Sequence, residues 1–262
     1  MNPVWLARNV ATSWRHRGSA ADALRRLVWI YGNRFGEALA GREWSIAFSY
    51  PSPINRITLH VRSNFGSDSF IHGEVFEQEV YKLPLSKPPS TILDLGANIG
   101  LSSVYFGRMY PDARIACVEP HPGNASLLRR NLPANGVRAE VVEAAIDRSD
   151  GRAMLELDRK DYGHRLAVGA ASPAAGRIEV EAISVPTLCS RLGWDRIGLL
   201  KVDIEGHEKS LLAEPCEWMH RVDSMCIEWH YPEEPSAVPE LAREFGLEPQ
   251  QLRGIWFMSR CG

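Results

Sequence analysis

The stretch Ile92-Leu93-Asp94-Leu95-Gly96-Ala97-Asn98-Ile99-Gly100 constrains this chain more than any other. An apolar strand runs into a glycine-bearing turn, and an apolar helix begins immediately beyond it. Gly96 takes backbone angles that are costly for other residues and leaves space for a ligand beside the main chain. Gly100 permits a close approach as the helix begins, and Asn98 tolerates a left-handed conformation or caps the turn. A strand–turn–helix unit of this kind belongs to an α/β layer.

The rest of the chain beyond Thr91 keeps that rhythm. Strands are expected at 91–95, 114–119, 139–145, 198–203 and 224–230, and helices at 101–110, 122–132, 185–192, 207–212 and 236–245. This is the signature of a mostly parallel sheet covered by helices on both faces. Two last strand-like pieces, 247–252 and 255–259, are expected to pair antiparallel at one sheet edge.

Before Thr91 the pattern differs. Leu24, Leu27, Val28 and Tyr31 recur at helical spacing, with Asp22 near the start, until Gly32, Gly36 and Gly41 weaken the helix. Trp44, Ile46 and Phe48 alternate, as do Ile57, Leu59 and Val61 after Pro51-Ser52-Pro53, which predicts a β-hairpin. A short helix is expected over 74–81. Pro84, Pro88 and Pro89 make 83–90 a stiff, exposed connector. The main boundary falls there: 1–88 is a helical and hairpin extension, a cap over a site or a dimer contact, and 89–262 is the ligand-binding domain. The small-residue segment 158–176 interrupts the α/β rhythm and reads as a lid or as a hairpin extension.

Composition narrows the function classes. With 45% apolar residues among 262, the chain has material for an extensive core. A formal charge of -2 gives no reason to expect a nucleic-acid partner, and Arg15-His16-Arg17 and Arg129-Arg130 read as solvated faces. Five cysteines without a Cys-x-x-Cys pair imply neither a disulfide framework nor a zinc site. Cys117 and Cys226 lie in apolar runs as packing residues of a reduced compartment, while Cys261 is nearly terminal and could be a free thiol. Arg8, Arg15, Arg17, Arg25 and Arg26 interrupt any signal sequence, and no apolar run is long enough to span a bilayer. The expectation is a soluble cytoplasmic protein.

The turn also selects its ligand. A dinucleotide fingerprint would place glycines where Asn98 and Leu101 stand, which disfavours a pyrophosphate and hence a nicotinamide-dependent dehydrogenase. Asp94 instead offers a carboxylate to a cation. S-adenosylmethionine carries an ammonium and a sulfonium, so the contrast favours that methyl donor. Glu119, ending the second strand beside Pro120, is placed to accept hydrogen bonds from both ribose hydroxyls. The small residues of Glu143-Ala144-Ala145-Ile146-Asp147, Ala145 among them, could flank an adenine, with the polar reader left open.

These residues, with Val118–Asn124 (VEPHPGN), Leu199–Glu208 (LLKVDIEGHE) and Ile227–His230 (IEWH), resemble the FkbM family of methyltransferases over approximately 91–230. The resemblance implies a class I methyltransferase, Rossmann-like α/β fold with a seven-stranded sheet. It also implies S-adenosylmethionine as cofactor and, usually, O-methylation of hydroxyls on sugars, glycolipids or secondary metabolites. Carried over by motif, Asp94, Gly96, Asn98 and Glu119 become cofactor residues, with Ala97, Gly100, Pro120 and Ala145 beside them. Asp203 falls next to the expected methyl-transfer centre.

Methyl transfer to an aliphatic hydroxyl needs in-line positioning and a base. Asp203 and Glu205 lie two apart, so an extended backbone sends both to one side, and Glu228 and His230 repeat that spacing. His230 is the leading base because its ordinary pKa lies near neutrality. The alternative is a hydrogen-bonded histidine that orients the loop at Pro232. Asp203 orients the substrate or the methionine amine, or takes the proton; His207 caps or flanks its helix. In a metal-assisted variant, Asp203, Glu205 and Glu228 would hold Mg²⁺, although the spacing lacks a cation-loop signature. Phe76, Tyr81, Trp194 and Trp229 are candidates to stack on an acceptor ring. The function expected is O-methylation of a small hydroxylated acceptor. An N- or C-methyltransferase, or a nucleoside-binding protein without catalysis, is the alternative.

Overall fold

The computed structural model describes residues 3–35, 42–157, 164–166, 176–213 and 216–260. Two helices open the chain, α1 (Pro3–Arg15) and α2 (Ala20–Phe35). The Ser19 hydroxyl accepts from the Asp22 amide at 3.1 Å and donates to the Asp22 carboxylate at 2.6 Å, so Asp22 does help start α2. Strands β1 (Glu43–Ser49) and β2 (Arg56–Arg62) then form the expected antiparallel hairpin, with Ile46 opposite Leu59 and Phe48 opposite Ile57. Part of the free edge of β2 is closed by two asparagines one turn apart on a later helix. Asn131 exchanges hydrogen bonds with the amide and carbonyl of His60, and Asn135 does the same with Thr58, all at 2.7–3.0 Å.

The helix expected over 74–81 lies earlier. Helix α3 spans Ser67–His72, continues as a wide π turn over Gly73–Glu77, and ends where the Gln78 amide reaches the Gly73 carbonyl. Its early start is set by Asp68, fully buried, whose carboxylate accepts from the Arg62 amide and guanidinium and from Asn64. Periodicity alone carries no sign of that buried network. The connector 83–90 contains no strand or helix, but it is not wholly exposed, since Leu83 is buried.

The remaining elements are β3 (Thr91–Leu95), α4 (Leu101–Met109), β4 (Arg114–Val118), α5 (Pro122–Ala134), β5 (Ala139–Val142), β6 (Ala145–Asp147), β7 (Gly151–Leu157), β8 (Arg165–Leu166), β9 (Gly176–Ser184), α6 (Val185–Leu192), β10 (Ile197–Val202), α7 (Glu208–Leu211), β11 (Val222–Ile227), α8 (Ala237–Glu244), β12 (Glu248–Leu252) and β13 (Ile255–Ser259). Seven of these strands form the central sheet in the order β12-β13-β11-β10-β3-β4-β5. Only β13 runs against its neighbours, and it pairs antiparallel with β12 at the edge as expected. This is the class I methyltransferase sheet that the resemblance implies. Strand order reverses between β3 and β10, which opens a crevice beyond their carboxyl ends.

One expected strand divides. The chain leaves the central sheet after Val142, buries Ala144, and re-forms as β6, which pairs in parallel with β9 in a second sheet ordered β6-β9-β7-β8. A single strand over 139–145 is therefore corrected to two short strands in two sheets. Strands β7 and β9 pair antiparallel out to Leu157 and Gly176, and β8 pairs with the end of β7; of the segment 158–176 only residues 164–166 and Gly176 are described. The rest of that segment, and Cys261, lie outside the described residues.

Alternation along β3 divides the core. Ile92 joins a cluster with Trp29, Phe48, Leu59, Phe76, Val104 and Phe106, whereas Leu93 and Leu95 join Leu188, Leu200 and Met225 on the other face. Residues of the extension thus cover one face of the sheet and share its core. Cys117 and Cys226 are buried free thiols, as their apolar runs imply. No described helix is long and apolar enough to cross a membrane.

Candidate functional site

The glycine turn is held from below and lines a cavity with Gly96, Ala97 and Asn98. Gly96, Asn98 and Gly100 take φ of 77°, 50° and 87°. A Cβ on Gly96 would lie 1.8 Å from the Asp203 carbonyl oxygen, so glycine is required there by the approach of β10. A Cβ on Gly100 would lie 2.5 Å from Leu128 Cδ1, so Gly100 serves helix packing and does not line the cavity. Backbone bonds from the Gly96 and Ala97 amides to the Val118 carbonyl fasten the turn to β4.

Asp94 faces inward. It is fully buried, and its carboxylate accepts from the hydroxyls of Ser102 and Ser103, both at 2.6 Å. Its other oxygen lies 3.2 Å from the Lys201 ammonium. The expectation that Asp94 presents its carboxylate to a cationic ligand is therefore corrected: its cation is the protein's own. Lys201 is almost fully buried in β10. It donates to the carbonyls of Gly96 at 2.7 Å and Leu95 at 3.3 Å, and lies 3.4 Å from Asp203 Oδ2. Burial pulls its pKa down, but Asp94 and Asp203 more than offset that, and the amine stays charged.

Glu119 behaves differently. It lines the cavity, with Oε1 accepting from the His121 amide at 2.9 Å and from Asn124 at 3.3 Å, and Oε2 from the Asn98 amide at 2.9 Å. Oε2 keeps a lone pair for a further donor. Burial pushes this carboxyl up to about 7, against the pull of those donors. Ala97, Asn98, Pro120, Ala145 and Ile146 line the same side. Glu143 pairs with Arg129 outside the cavity at 2.6 Å. Asp147 holds the buried His207 at 3.0 Å, so His207 does more than flank its helix.

Opposite lies an acidic wall. Beyond the last residue of each strand the ladder is continued by the Asp203 amide on the Leu95 carbonyl at 3.2 Å and by the Glu228 amide on the Val202 carbonyl at 2.9 Å. Residues 203–206 do not stay extended: Glu205 and Gly206 form a left-handed turn with φ of 53° and 89°. Both segments nonetheless converge on His230, whose Nε2 lies 3.6 Å from Glu205 and 3.9 Å from Glu228. Its Nδ1 bonds the fully buried Glu208 at 2.9 Å, and the same Glu208 oxygen accepts the amides of Ile204 and Gly206. Glu208 thus fixes both the turn and the ring.

These charges shift one another. Burial draws His230 down, but the Glu208 hydrogen bond and the charges of Glu208, Asp203 and Glu205 push it up to about 9. The imidazole is therefore protonated at neutral pH, which corrects its choice as a base on the strength of its ordinary pKa. Burial and Asp203 raise Glu205 to about 8, while burial, Glu228 and Asp203 raise Glu74 to about 7. Glu74 and Lys201 were missed as site residues. Glu74 comes from the extension, and Lys201 sits within an apolar strand run.

Both sides belong to one cavity of about 430 Å³. Phe70, Glu74 and Tyr81 of the extension, Arg253 of the β12–β13 turn, and His164–Leu166 around β8 also line it. Of the aromatic candidates only Tyr81 lines it; Phe76 packs on Tyr50 and Tyr105 in the core, and neither Trp194 nor Trp229 reaches the wall.

The Methyltransferase FkbM domain model matches residues 94–250. The chain belongs to this family. Methyltransferase sdnD of Sordaria araneosa is 31% identical over 176 residues, 55% of this chain and 67% of that protein. Methyltransferase 1 of Beauveria bassiana (strain ARSEF 2860) is 29% identical over 168 residues, 55% of this chain and 65% of its own length. The 2-O-methyltransferase NoeI of Sinorhizobium fredii is 27% identical over 192 residues, 65% and 78% of the two chains. The chain thus spans about two thirds of the first two relatives. Within the FkbM methyltransferase domain fall the glycine turn, Glu119, Lys201 and the acidic wall, whereas Glu74, Tyr81 and Arg253 lie outside the matched residues.

Proposed function

We propose that this chain is an S-adenosylmethionine-dependent O-methyltransferase acting on a hydroxyl of a small acceptor such as a sugar, glycolipid or secondary metabolite. The observation that carries the reading is the division of one cavity, with a nucleoside-sized, largely apolar side at Glu119 and a carboxylate-rich side at Asp203, Glu205 and Glu228. About 430 Å³ falls within the size of small-molecule sites, about 300–1,000 Å³. The family, and the O-methyltransferase named among the relatives, support the same chemistry.

The residues present suit this cofactor. Glu119 Oε2 retains capacity for a ribose hydroxyl, and Ala97, Pro120, Ala145 and Ile146 offer apolar walls to an adenine. Lys201, the buried cation nearest the turn, is committed to Gly96, Asp94 and Asp203, which leaves no charge there for a pyrophosphate. The acidic wall suits an ammonium and a sulfonium. When bound, the cofactor supplies an electrophilic methyl carbon whose bond to sulfur breaks as the acceptor oxygen attacks. The chain's own part is to hold that oxygen in line and exclude water. The hydroxyl proton passes to a carboxylate of the acidic wall, Asp203 or Glu228, both of which face the same cavity.

Calorimetric titration with S-adenosylmethionine tests the first half, with micromolar binding expected. An absence of heat at any ratio would overturn the proposal. Labelled methyl transfer into hydroxylated acceptors tests the second half: an acid-stable methyl ether is expected, and methylation on nitrogen or carbon would reassign the acceptor atom.

A further inference from the structure

The acidic wall brings two carboxylate oxygens and a ring nitrogen close together. One carboxylate oxygen each of Asp203 and Glu228 and one ring nitrogen of His230 lie within 4.8 Å of one another, all partly buried. The set differs from the all-oxygen group Asp203, Glu205 and Glu228 expected from spacing: His230 stands where Glu205 was expected. His230 is presented as a ligand ring would be: Nδ1 is taken by the buried carboxylate of Glu208, leaving Nε2 toward the cavity. Carboxylates behind histidines orient metal-binding rings in the same manner.

A second observation is independent of the cluster. Tyr81 is 7% exposed and lines the same cavity, yet its hydroxyl has no hydrogen-bond partner among the described residues. Asp203 and Glu228 line the same cavity and are among the charges that act on it. That hydroxyl is not closed off from the cavity and is available to a ligand held there.

We infer that Asp203, Glu228 and His230 form a binding centre for one divalent transition cation, with Tyr81 facing the oxygen ligands that complete its shell. One nitrogen and two carboxylates suit Mn²⁺ or a later first-row ion better than Mg²⁺, which favours oxygen alone. The ion's use, to fix and acidify the acceptor hydroxyl, rests on the proposed function, whereas the centre itself does not.

Mn²⁺ titration of the full chain after chelator treatment, followed by electron paramagnetic resonance of the free ion, reads the centre directly. One equivalent is expected to bind. Glu228→Gln and His230→Gln should each weaken it at least about tenfold, with thermal unfolding checked to confirm that each variant is folded. Glu208→Gln, which leaves all three ligands in place, should weaken it by about 10–100-fold through the ring. Mg²⁺ at equal concentration should displace little Mn²⁺. No uptake at millimolar Mn²⁺, or uptake unchanged in folded Glu228→Gln and His230→Gln, would overturn the inference; equal competition by Mg²⁺ would remove His230 from the ligand set. Calorimetry of the metal-free protein with S-adenosylmethionine runs alongside. Cofactor binding without Mn²⁺ uptake refutes the centre alone, and Mn²⁺ uptake without cofactor binding refutes the methyltransferase reading alone.

Discussion

The two sides of the cavity handle charge in opposite ways. On the turn side the buried charges are matched inside the protein: Asp94 by Lys201 and two serines, Glu119 by two amides and Asn124. On the acidic side carboxylates outnumber cations, and Glu74 and Glu205 are pushed up to about 7 and about 8 partly by one another's neighbours. A matched network specifies a shape, whereas an unmatched one is poised for a cation that the chain does not supply.

That contrast is broken most severely at Gly96. Gly96→Ala forces a Cβ into the Asp203 carbonyl at a left-handed position, and a loss of more than about 4 kcal/mol, read as the shift of the urea midpoint, is expected. A near-neutral result would show that the turn is not fixed by β10. Lys201→Met comes next. It strands Asp94 in a dry site and should cost about 3–5 kcal/mol, and adding Asp94→Asn should recover part of the loss. Absence of any recovery would mean that the pair is not coupled.

Glu119 sharpens the comparison through pH. Its carboxyl is raised to about 7, so the ionised form, proposed to accept a ribose hydroxyl, is lost as pH falls through that value. Affinity for S-adenosylmethionine should then drop about tenfold per pH unit below 7, equivalent to about 1.4 kcal/mol, and Glu119→Gln should flatten the profile. By the same shift the fold gains stability as pH falls from about 7 toward 4.5, because the folded state binds the proton first. The smallest effect is expected at Glu74. Its raised pKa places a stability penalty above the unfolded value of 4.5 that is complete once pH exceeds about 7. Discounted for solvent screening, Glu74→Gln should stabilise the protein by about 1 kcal/mol at pH 8 and by nothing at pH 4, measured by thermal unfolding at both values.

The strand–turn–helix of 92–100 and the antiparallel edge pair were legible because glycine placement and apolar period are local. The convergence of Asp203, Glu205, Glu228 and His230 was legible from their position beyond strand ends, although the stated reason, extended spacing, fails at Glu205. What stayed hidden depends on partners distant in sequence. Nothing local tells that Lys201 reaches back across more than a hundred residues to the Gly96 carbonyl, or that Glu208 sets the charge of His230. The division of the strand at Glu143 likewise depends on β9, a partner some forty residues away.

The Lys201 ammonium touches the turn proposed to seat the methyl donor and Asp203, proposed to face the acceptor, and so works as a strut between the two. Anyone redesigning acceptor preference along β10 should expect substitutions beside that strut to register first as poor cofactor retention. Libraries restricted to Phe70, Glu74 and Arg253 on the cavity wall leave it untouched.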